Sequence, residues 1–565
     1  MDLSLSGKNI LICGAGGLSG RSLAQLCLRL GARVILSDRN AEADLNDALN
    51  AALREAKHDG SDRLVDARPR EDRDLLSEYQ IDMVITGPGV PLSGDLFAAA
   101  GEASIKIRGE NDFASEVIAL ACERAMLPAP LIAGVTGTDG KSTTVAMLER
   151  LVNQATGLRA IACGNYGLPL SQLVLDCFPE DGPATLPPVL VVECSSFQLE
   201  LVESFHPDVA VVLNIADDHL DRYVDRRSYL NAKLNIVNRQ NERDVFLAPQ
   251  SIYEQAVDRP YLHSQSGAAA GGLNGGGVES RVQSDFGDFD GPRDAADTVQ
   301  VHSGRPRRIV VPTVNEEPVP DTLRYREREL LPAADFPLPG IHNQENLRFA
   351  LKALECLEDA SVHYLRGMHV NLERLATALR NFRGLPHRME ICVPGGAEPA
   401  VDERVRNDGR PSMLYLNDSK ATTVQAVVAA LASFPEAQQR VFLLCGGRAK
   451  GADFGELGGR ENVELFPYGE AGAQIAERTG TNAVFADLES AFIAANQAAR
   501  AWAGLEPNSK AAEDNSDSLK DSEKHSQSKR QAIVLLSPAC ASYDAYSSYQ
   551  SRGEHFRELV ERCPS

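Results

Sequence analysis

The stretch GVTGTDGKSTT, Gly134 to Thr144, contains residue types that bind and move phosphates. Lys141, between Gly140 and Ser142, gives the G-K-[ST] ending of a phosphate-binding loop. In such a loop the backbone N–H groups of Gly137, Thr138, Asp139, Gly140 and Lys141 point at phosphate oxygens. The start of the following helix adds favourable partial charge, the lysine adds a mobile cation, and Ser142 or Thr143 offers a hydroxyl to Mg2+. The spacing departs from the strict pattern by one residue, because Val135 stands where its first glycine belongs. Farther along, VVECSSFQLE places Glu193 at the end of an apolar run. A carboxylate facing a phosphate loop suits Mg2+, although a solvated acid at a strand end has the same pattern. LNIADDHLDRY adds Asp217, Asp218, His219 and Asp221. A lone histidine there reads as structural; beside a phosphate loop and Glu193 it becomes a candidate metal ligand.

A second glycine turn, GAGGLSG, starts at Gly14. Gly14 and Gly16 fit the opening of a dinucleotide fingerprint, and Asp38 ends the next apolar run as a ribose-binding acid does. Ser19 occupies the third glycine's place and Gly20 follows. Three readings stay open for this turn: a nicotinamide-cofactor site, a site for the nucleotide moiety of a substrate, and a tight strand–helix connection.

The elements that must position these residues alternate strand and helix, the pattern of a parallel sheet. The architecture expected is α/β, in three consecutive domains. Residues 1–127 form a Rossmann-like domain, 128–381 a central P-loop domain, and 382–565 a C-terminal Rossmann-like domain. Ser264–Asp297 is rich in Gly, Ala and Asp, and Glu506–Gln531 is polar and charged. Both read as disordered insertions.

Composition narrows the function further. The chain has 565 residues, 43% of them hydrophobic, and a net charge of −22. Such acidity argues against nucleic-acid binding, which needs clustered Lys and Arg, yet leaves room for an anionic small substrate in a local basic pocket. Eleven cysteines lie mostly in apolar runs and form no CxxC pair, as thiols in a reducing compartment do. No apolar run approaches the ~18 residues of a membrane span, and no secretory leader is recognisable. A cytoplasmic, non-membrane protein is expected.

Ten stretches together resemble the Mur ligase family: GVTGTDGKSTT, GNYGLP, ECSSFQLE, LNIADDHLDRY, NAKLNI, HNQENLRFAL, FRGLPHRMEI, NDSKATT, GGRAKGADF and LLSPACASYD. They come in the family's order and touch all three blocks. The pattern is most similar to members that add D-glutamate to UDP-N-acetylmuramoyl-L-alanine in peptidoglycan precursor synthesis. The resemblance implies an ATP-dependent amide ligase. ATP phosphorylates the substrate carboxylate, and the amine of D-glutamate attacks the acyl phosphate, giving an amide, ADP and phosphate. It also implies two Mg2+ ions; a monomer is expected, although the sequence carries no signal for oligomeric state.

Carried over residue by residue, the catalytic set is Lys141, Glu193, His219, Lys233, Arg388 and Lys450. ATP contacts fall to Gly137, Thr138, Asp139, Gly140, Lys141, Ser142, Thr143, Asn343, Asn346, Arg388 and Asp418. The UDP substrate meets Leu18, Ser19, Asp38, Arg39, Gly87, Asn165 and Ser195. D-Glutamate meets Lys420, Thr422, Lys450, Ser542 and Tyr549. Metal falls to Ser142, Glu193, His219 and Lys233. Read alone, Lys233 is a lysine on a helix surface. The resemblance makes it a lysine carbamylated by CO2, which requires the neutral amine and so a pKa below the free value of about 10.4. Three positions depart from the family pattern: Asp139 replaces Asn, Tyr549 replaces Phe, and Arg448 replaces an acidic or neutral residue. The first glycine turn then meets the UDP of the substrate. Sister ligases and a nucleotide-driven switch remain as alternatives, although the DNPR-type motif of the diaminopimelate- or lysine-adding members is absent.

Overall fold

Among the described residues, apolar runs flanked by glycine turns become three mainly parallel sheets. The computed structural model describes residues 5–38, 64–68, 72–179, 182–216, 222–256, 306–313, 316–318, 320–338, 340–362, 367–396, 412–434, 439–449, 453–505 and 531–563. The Ser264–Asp297 stretch lies outside them, as does Glu506–Gln531 apart from Gln531, which opens a strand.

The first sheet contains β1 (Asn9–Cys13), β2 (Arg33–Ser37), β3 (Leu64–Arg68), β4 (Met83–Thr86) and β5 (Lys106–Gly109), in the order β3-β2-β1-β4-β5. Every pairing is parallel. This is a doubly wound order, whose ligand edge is the carboxyl end of the strands. Ile10, Leu11 and Ile12 are all fully buried, as continuous apolar strands covered on both faces must be.

The second sheet contains β6 (Leu131–Thr136), β7 (Ala160–Gly164), β8 (Val189–Glu193), β9 (Val209–Val212), β10 (Val245–Ala248) and β11 (Arg307–Val310), in the order β11-β10-β9-β6-β8-β7. The chain then forms an antiparallel hairpin, β12 (Thr322–Tyr325) and β13 (Arg328–Pro332). The third sheet contains β14 (Glu390–Cys392), β15 (Ser412–Asn417), β16 (Gln439–Gly446), β17 (Val463–Tyr468) and β18 (Gln531–Leu536), in the order β14-β15-β18-β16-β17. Only β14 runs antiparallel there.

Two compact units emerge. The first comprises Met1–Asp139, Ile161–Val311 and Asp359–Gly367; the second comprises Gly140–Ala160, Pro312–Glu358 and Met368–Ser565. Inside the first unit, one apolar cluster joins the helix Leu18–Arg29, through Leu23 and Leu26, to the helix Leu170–Cys177, through Leu173 and Val174. A polar latch supports it. Arg108 Nε donates to Asp112 Oδ2 at 2.6 Å, and Asp112 Oδ1 accepts the N–H groups of Glu203, Ser204 and Phe205. Paired and hydrogen-bonded on all sides, these buried charges are compensated, and removing one partner would strand the other. Inside the second unit, Leu444, Val534 and Leu536 pack with Phe492 and Phe556 on the third sheet. All eleven cysteines are buried. No described helix is long and apolar enough to cross a membrane.

Candidate functional site

The carboxyl edge of the first sheet opens into a cleft of about 550 Å³, lined by Gly14, Gly17–Gly20, Asp38, Gly87–Pro91, Gly164, Asn165, Gly167 and Pro169. Five expected UDP-substrate residues thus share one cavity: Leu18, Ser19, Asp38, Gly87 and Asn165. The helix Leu18–Arg29 begins here with no side-chain cap and no acid in its first turn. Such a helix start has N–H donors and positive partial charge for an anion. Gly20 explains the displaced fingerprint. A Cβ on it would press on the Gly14 carbonyl and the Ala15 backbone, so this glycine permits the close helix–strand approach. Asp38 Oδ2 accepts the Gly16 N–H at 2.8 Å, so one carboxylate oxygen braces the glycine turn. Ser195, by contrast, caps a short helix: its hydroxyl accepts the Gln198 N–H at 3.2 Å and donates to Gln198 Oε1 at 3.1 Å. Arg39 lies outside the described residues.

In the same unit, Asn214 organises the phosphate loop. Its Oδ1 accepts the N–H groups of Thr138 at 3.1 Å and Asp139 at 2.9 Å, and its Nδ2 donates to the Asp139 carbonyl. Nothing in LNIADDH marks Asn214 for this role, in which it takes up the Thr138 and Asp139 N–H groups that the loop pattern directs at phosphate. Glu193 ends β8 at 2% exposure. Its Oε1 accepts from Asn165 Nδ2 at 2.7 Å, whereas Oε2 is buried with no hydrogen-bond partner among the described residues. Lys233 is 1% exposed, which overturns its reading as a surface lysine. The Asp225 capping box starts its helix, Arg226–Leu234, and this helix carries the lysine inward. Its Nζ donates to the Gly137 carbonyl at 2.8 Å and stands 4.4 Å from the Tyr229 ring centre. Burial is the main reason the Cys194 thiol is pushed up; the Glu193 and Glu110 charges add to it and the Lys233 charge opposes it. His219 lies outside the described residues.

The second unit holds the helix that follows the loop, Lys141–Ala155. It too starts without a side-chain cap or an acid in its first turn. Gly140, at φ +80°, precedes it, and a Cβ there would collide with the Asn346 carboxamide. Thr144 Oγ1 donates to Asn346 Oδ1 at 3.3 Å, so Asn346 buttresses the helix start. Asn343, one turn earlier, is also buried.

The ends of β15, β16 and β18 carry most of the remaining expected residues. Arg388 sits between His387 (φ 63°) and Met389 (φ 48°), two left-handed residues that shape its turn. Asp418 accepts from Ser537 Oγ at 3.0 Å and from the Met389 N–H at 3.3 Å. Burial nevertheless outweighs these bonds and the Arg388 charge, and its carboxyl is pushed up to about 7. Lys420 Nζ lies 5.0 Å from the Tyr549 ring centre, a cation–π contact to the residue that departs from the family's Phe. Thr422 is half-buried, and Ser542 is buried. Arg448 pairs with Glu470 at 3.2 Å, and Lys450 lies outside the described residues.

A description of the Mur ligase middle domain matches residues 135–260. UDP-N-acetylmuramoylalanine--D-glutamate ligase of Anaeromyxobacter dehalogenans is 33% identical over 561 residues, covering 98% of each chain. The enzyme of the same name from Salinibacter ruber is 32% identical, covering 97% of this chain and 96% of the relative. That of Geobacter metallireducens is 30% identical, covering 99% and 98%. With glycine-rich loop, buried lysine and sheet-edge cleft in place, and with relatives 30–33% identical over nearly the whole of both chains, the chain belongs to the Mur ligase family.

Proposed function

We propose that this protein joins D-glutamate to UDP-N-acetylmuramoyl-L-alanine at the expense of ATP, as a cytoplasmic monomer built from the three domains 1–127, 128–381 and 382–565. The observation that carries the reading is the first unit's arrangement. A buried, half-satisfied Glu193 and a buried Lys233 flank a phosphate loop, and a separate uncapped helix start opens on a nucleotide-sized cleft.

The cleft takes the UDP end, with the N–H groups at Leu18 and Ser19 toward its diphosphate. Asn165 lines the cleft and also holds Glu193, so it connects the substrate's sugar–peptide end with the carboxylate that would hold the metal. The helix start at Gly140 and Lys141 receives the ATP phosphates. The orphaned Glu193 Oε2 fits a hard cation, which prefers carboxylate oxygen. Glu193, Ser142, His219 and carbamylated Lys233 are the residues that would hold Mg2+. When bound, the metal neutralises charge as a phosphoryl group moves. Carbamylation joins the lysine amine to CO2 and releases one proton; the product has the oxygens that an ammonium lacks. Arg388 adds a cation for the transferred phosphoryl group. Lys420, Thr422, Lys450, Ser542 and Tyr549 grip D-glutamate, with Lys450 pairing a substrate carboxylate.

Phosphate release from ATP tests the reading, with UDP-N-acetylmuramoyl-L-alanine present and D-glutamate, L-glutamate, D-alanine, L-lysine or no amino acid added. Release that requires D-glutamate, with a matching amide product, is expected. Release indifferent to every amino acid would overturn it in favour of a nucleotide-driven switch.

A further inference from the structure

Arg552 is 0% exposed, yet no carboxylate among the described residues pairs with it. A buried guanidinium needs hydrogen bonds to offset lost solvation, and here they all come from neutral oxygens. Nε donates to Ser419 Oγ at 3.0 Å and Nη2 to the Ser419 carbonyl at 2.9 Å. Nη1 and Nη2 both reach the Cys540 carbonyl at 3.1 Å, and Nη1 reaches the Gly446 carbonyl at 3.4 Å. Ser419 and Cys540 lie in the loops that follow β15 and β18, and Gly446 is the last residue of β16, where a third loop begins.

The three loops are the ones that carry the residues proposed to grip the amino acid. Lys420 adjoins Ser419, Ser542 lies two residues beyond Cys540, and Gly446 leads toward Lys450. The same helix, Tyr549–Glu561, also supplies Tyr549, whose carbonyl accepts from Ser419 Oγ at 2.8 Å. Gly447 is confined too, since a Cβ on it would stand 3.0 Å from Arg552 Nη1. A planar fork with five donors can span such a set, whereas a lysine's single nitrogen cannot.

We propose that Arg552 is a positioning residue for the amino-acid substrate: its guanidinium sets the mutual register of the three loops, so that the groups meant for the amino dicarboxylate converge. The inference rests on the ligase reading above. Because Arg552 itself is buried, it acts through Lys420, Ser542 and the Gly446–Gly447 turn.

The test is the KM of each substrate for wild type, Arg552→Lys and Ser419→Ala. Arg552→Lys keeps the charge and loses the fork. Its KM for D-glutamate should rise at least about tenfold, the effect of losing one charge-assisted hydrogen bond, with the KM for ATP and for the UDP substrate within about twofold. Ser419→Ala removes one acceptor and should raise the same KM about threefold. A purely structural role would lower melting temperature and active fraction without this split. An unchanged KM for D-glutamate in folded Arg552→Lys would overturn the inference. If that variant does not fold, an unchanged KM in Ser419→Ala would do so. Wild type lacking D-glutamate-dependent release would instead overturn the ligase reading, so the two failures are separable.

Discussion

Replacing Gly20 by alanine perturbs one wall of the cleft that we assign to the UDP end of the substrate. The added Cβ would stand 2.5 Å from Ala15 Cα and 2.9 Å from the Ala15 carbonyl carbon. Carbon atoms rest about 3.5–4.0 Å apart, so the helix start must retreat by about 1 Å. Neither contact is the end of a flexible side chain, so no rotamer change relieves it. The overpacking should cost about 1–3 kcal/mol of stability. The retreat carries the N–H groups of Leu18 and Ser19 away from the cleft, and a misplacement of ~1 Å costs as much as a hundredfold. The KM for UDP-N-acetylmuramoyl-L-alanine should therefore rise about ten- to a hundredfold, which is about 1.4–2.7 kcal/mol of binding. The KM for ATP should hold within about twofold, because its phosphates are assigned to a different helix start. Steady-state kinetics with each substrate varied in turn gives both numbers, and thermal melting confirms the fold. A folded variant with an unchanged KM for the UDP substrate would refute the assignment of this helix start to the diphosphate. A parallel rise in both KM values would show general loosening instead.

Glu193→Gln keeps the shape and removes the charge; activity should fall at least about a hundredfold and the Mg2+ titration midpoint should rise, and an unchanged midpoint would count against Glu193 as a ligand. Lys233→Ala should be nearly inactive and partly restored by short carboxylic acids that supply the missing oxygens; near-normal activity, or no response to the acids, would sink the carbamate. Asp418 carries a raised pKa, about 7 against an ordinary 3.8, so the folded state keeps a proton that the unfolded state loses in between. Its stabilising contribution is therefore full below the ordinary value and falls away as pH rises to about 7. The melting temperature of Asp418→Asn minus that of wild type should accordingly climb across that window and level off above it; parallel melting curves would contradict the burial argument.

The sheets were legible because parallel strands buried on both faces must be continuous apolar runs, and NILIC, LIAGVT and QAIVLL are such runs. The phosphate loop was legible because its residues are contiguous. Lys233 illustrates what local pattern misses. In NAKLNI nothing marks a buried lysine, since its acceptor, the Gly137 carbonyl, is 96 residues away. Asn346 buttressing Gly140 escaped for the same reason: its contact with Thr144 spans 202 residues. The resemblance makes Asn346 an ATP contact, and the buttress adds a packing reason for an asparagine there. Asp38 looked like a ribose-binding acid because it ends a strand, but spacing alone cannot show that one oxygen braces Gly16. The hairpin β12–β13, TLRY followed by RELLP, went unread because short, charge-rich strands carry little periodic signal.

Helix starts give an independent argument for where ligands belong. The helices that begin after Ser195, Asp225, Asn371, Thr423, Asp487 and Ser548 all have a side chain accepting an N–H of their first turn. The helix starting at Leu170 is served from a distance, since Glu110 Oε1 accepts both the N–H and the hydroxyl of Ser171. The helices starting at Leu18, Lys141 and Gly472 have neither a side-chain cap nor an acid in the first turn. A cap is worth about 1 kcal/mol, and a nearby acid adds about 0.3–1 kcal/mol. All three forgo that stabilisation, but the third begins after Ala471, whereas the helices at Leu18 and Lys141 begin after glycines, Gly17 and Gly140, which keep side chains away from their first N–H groups at those two places. An anion arriving from outside the chain would restore it at each place. A ligase that must hold the diphosphate of one substrate and the triphosphate of another has use for two such starts, one in each compact unit.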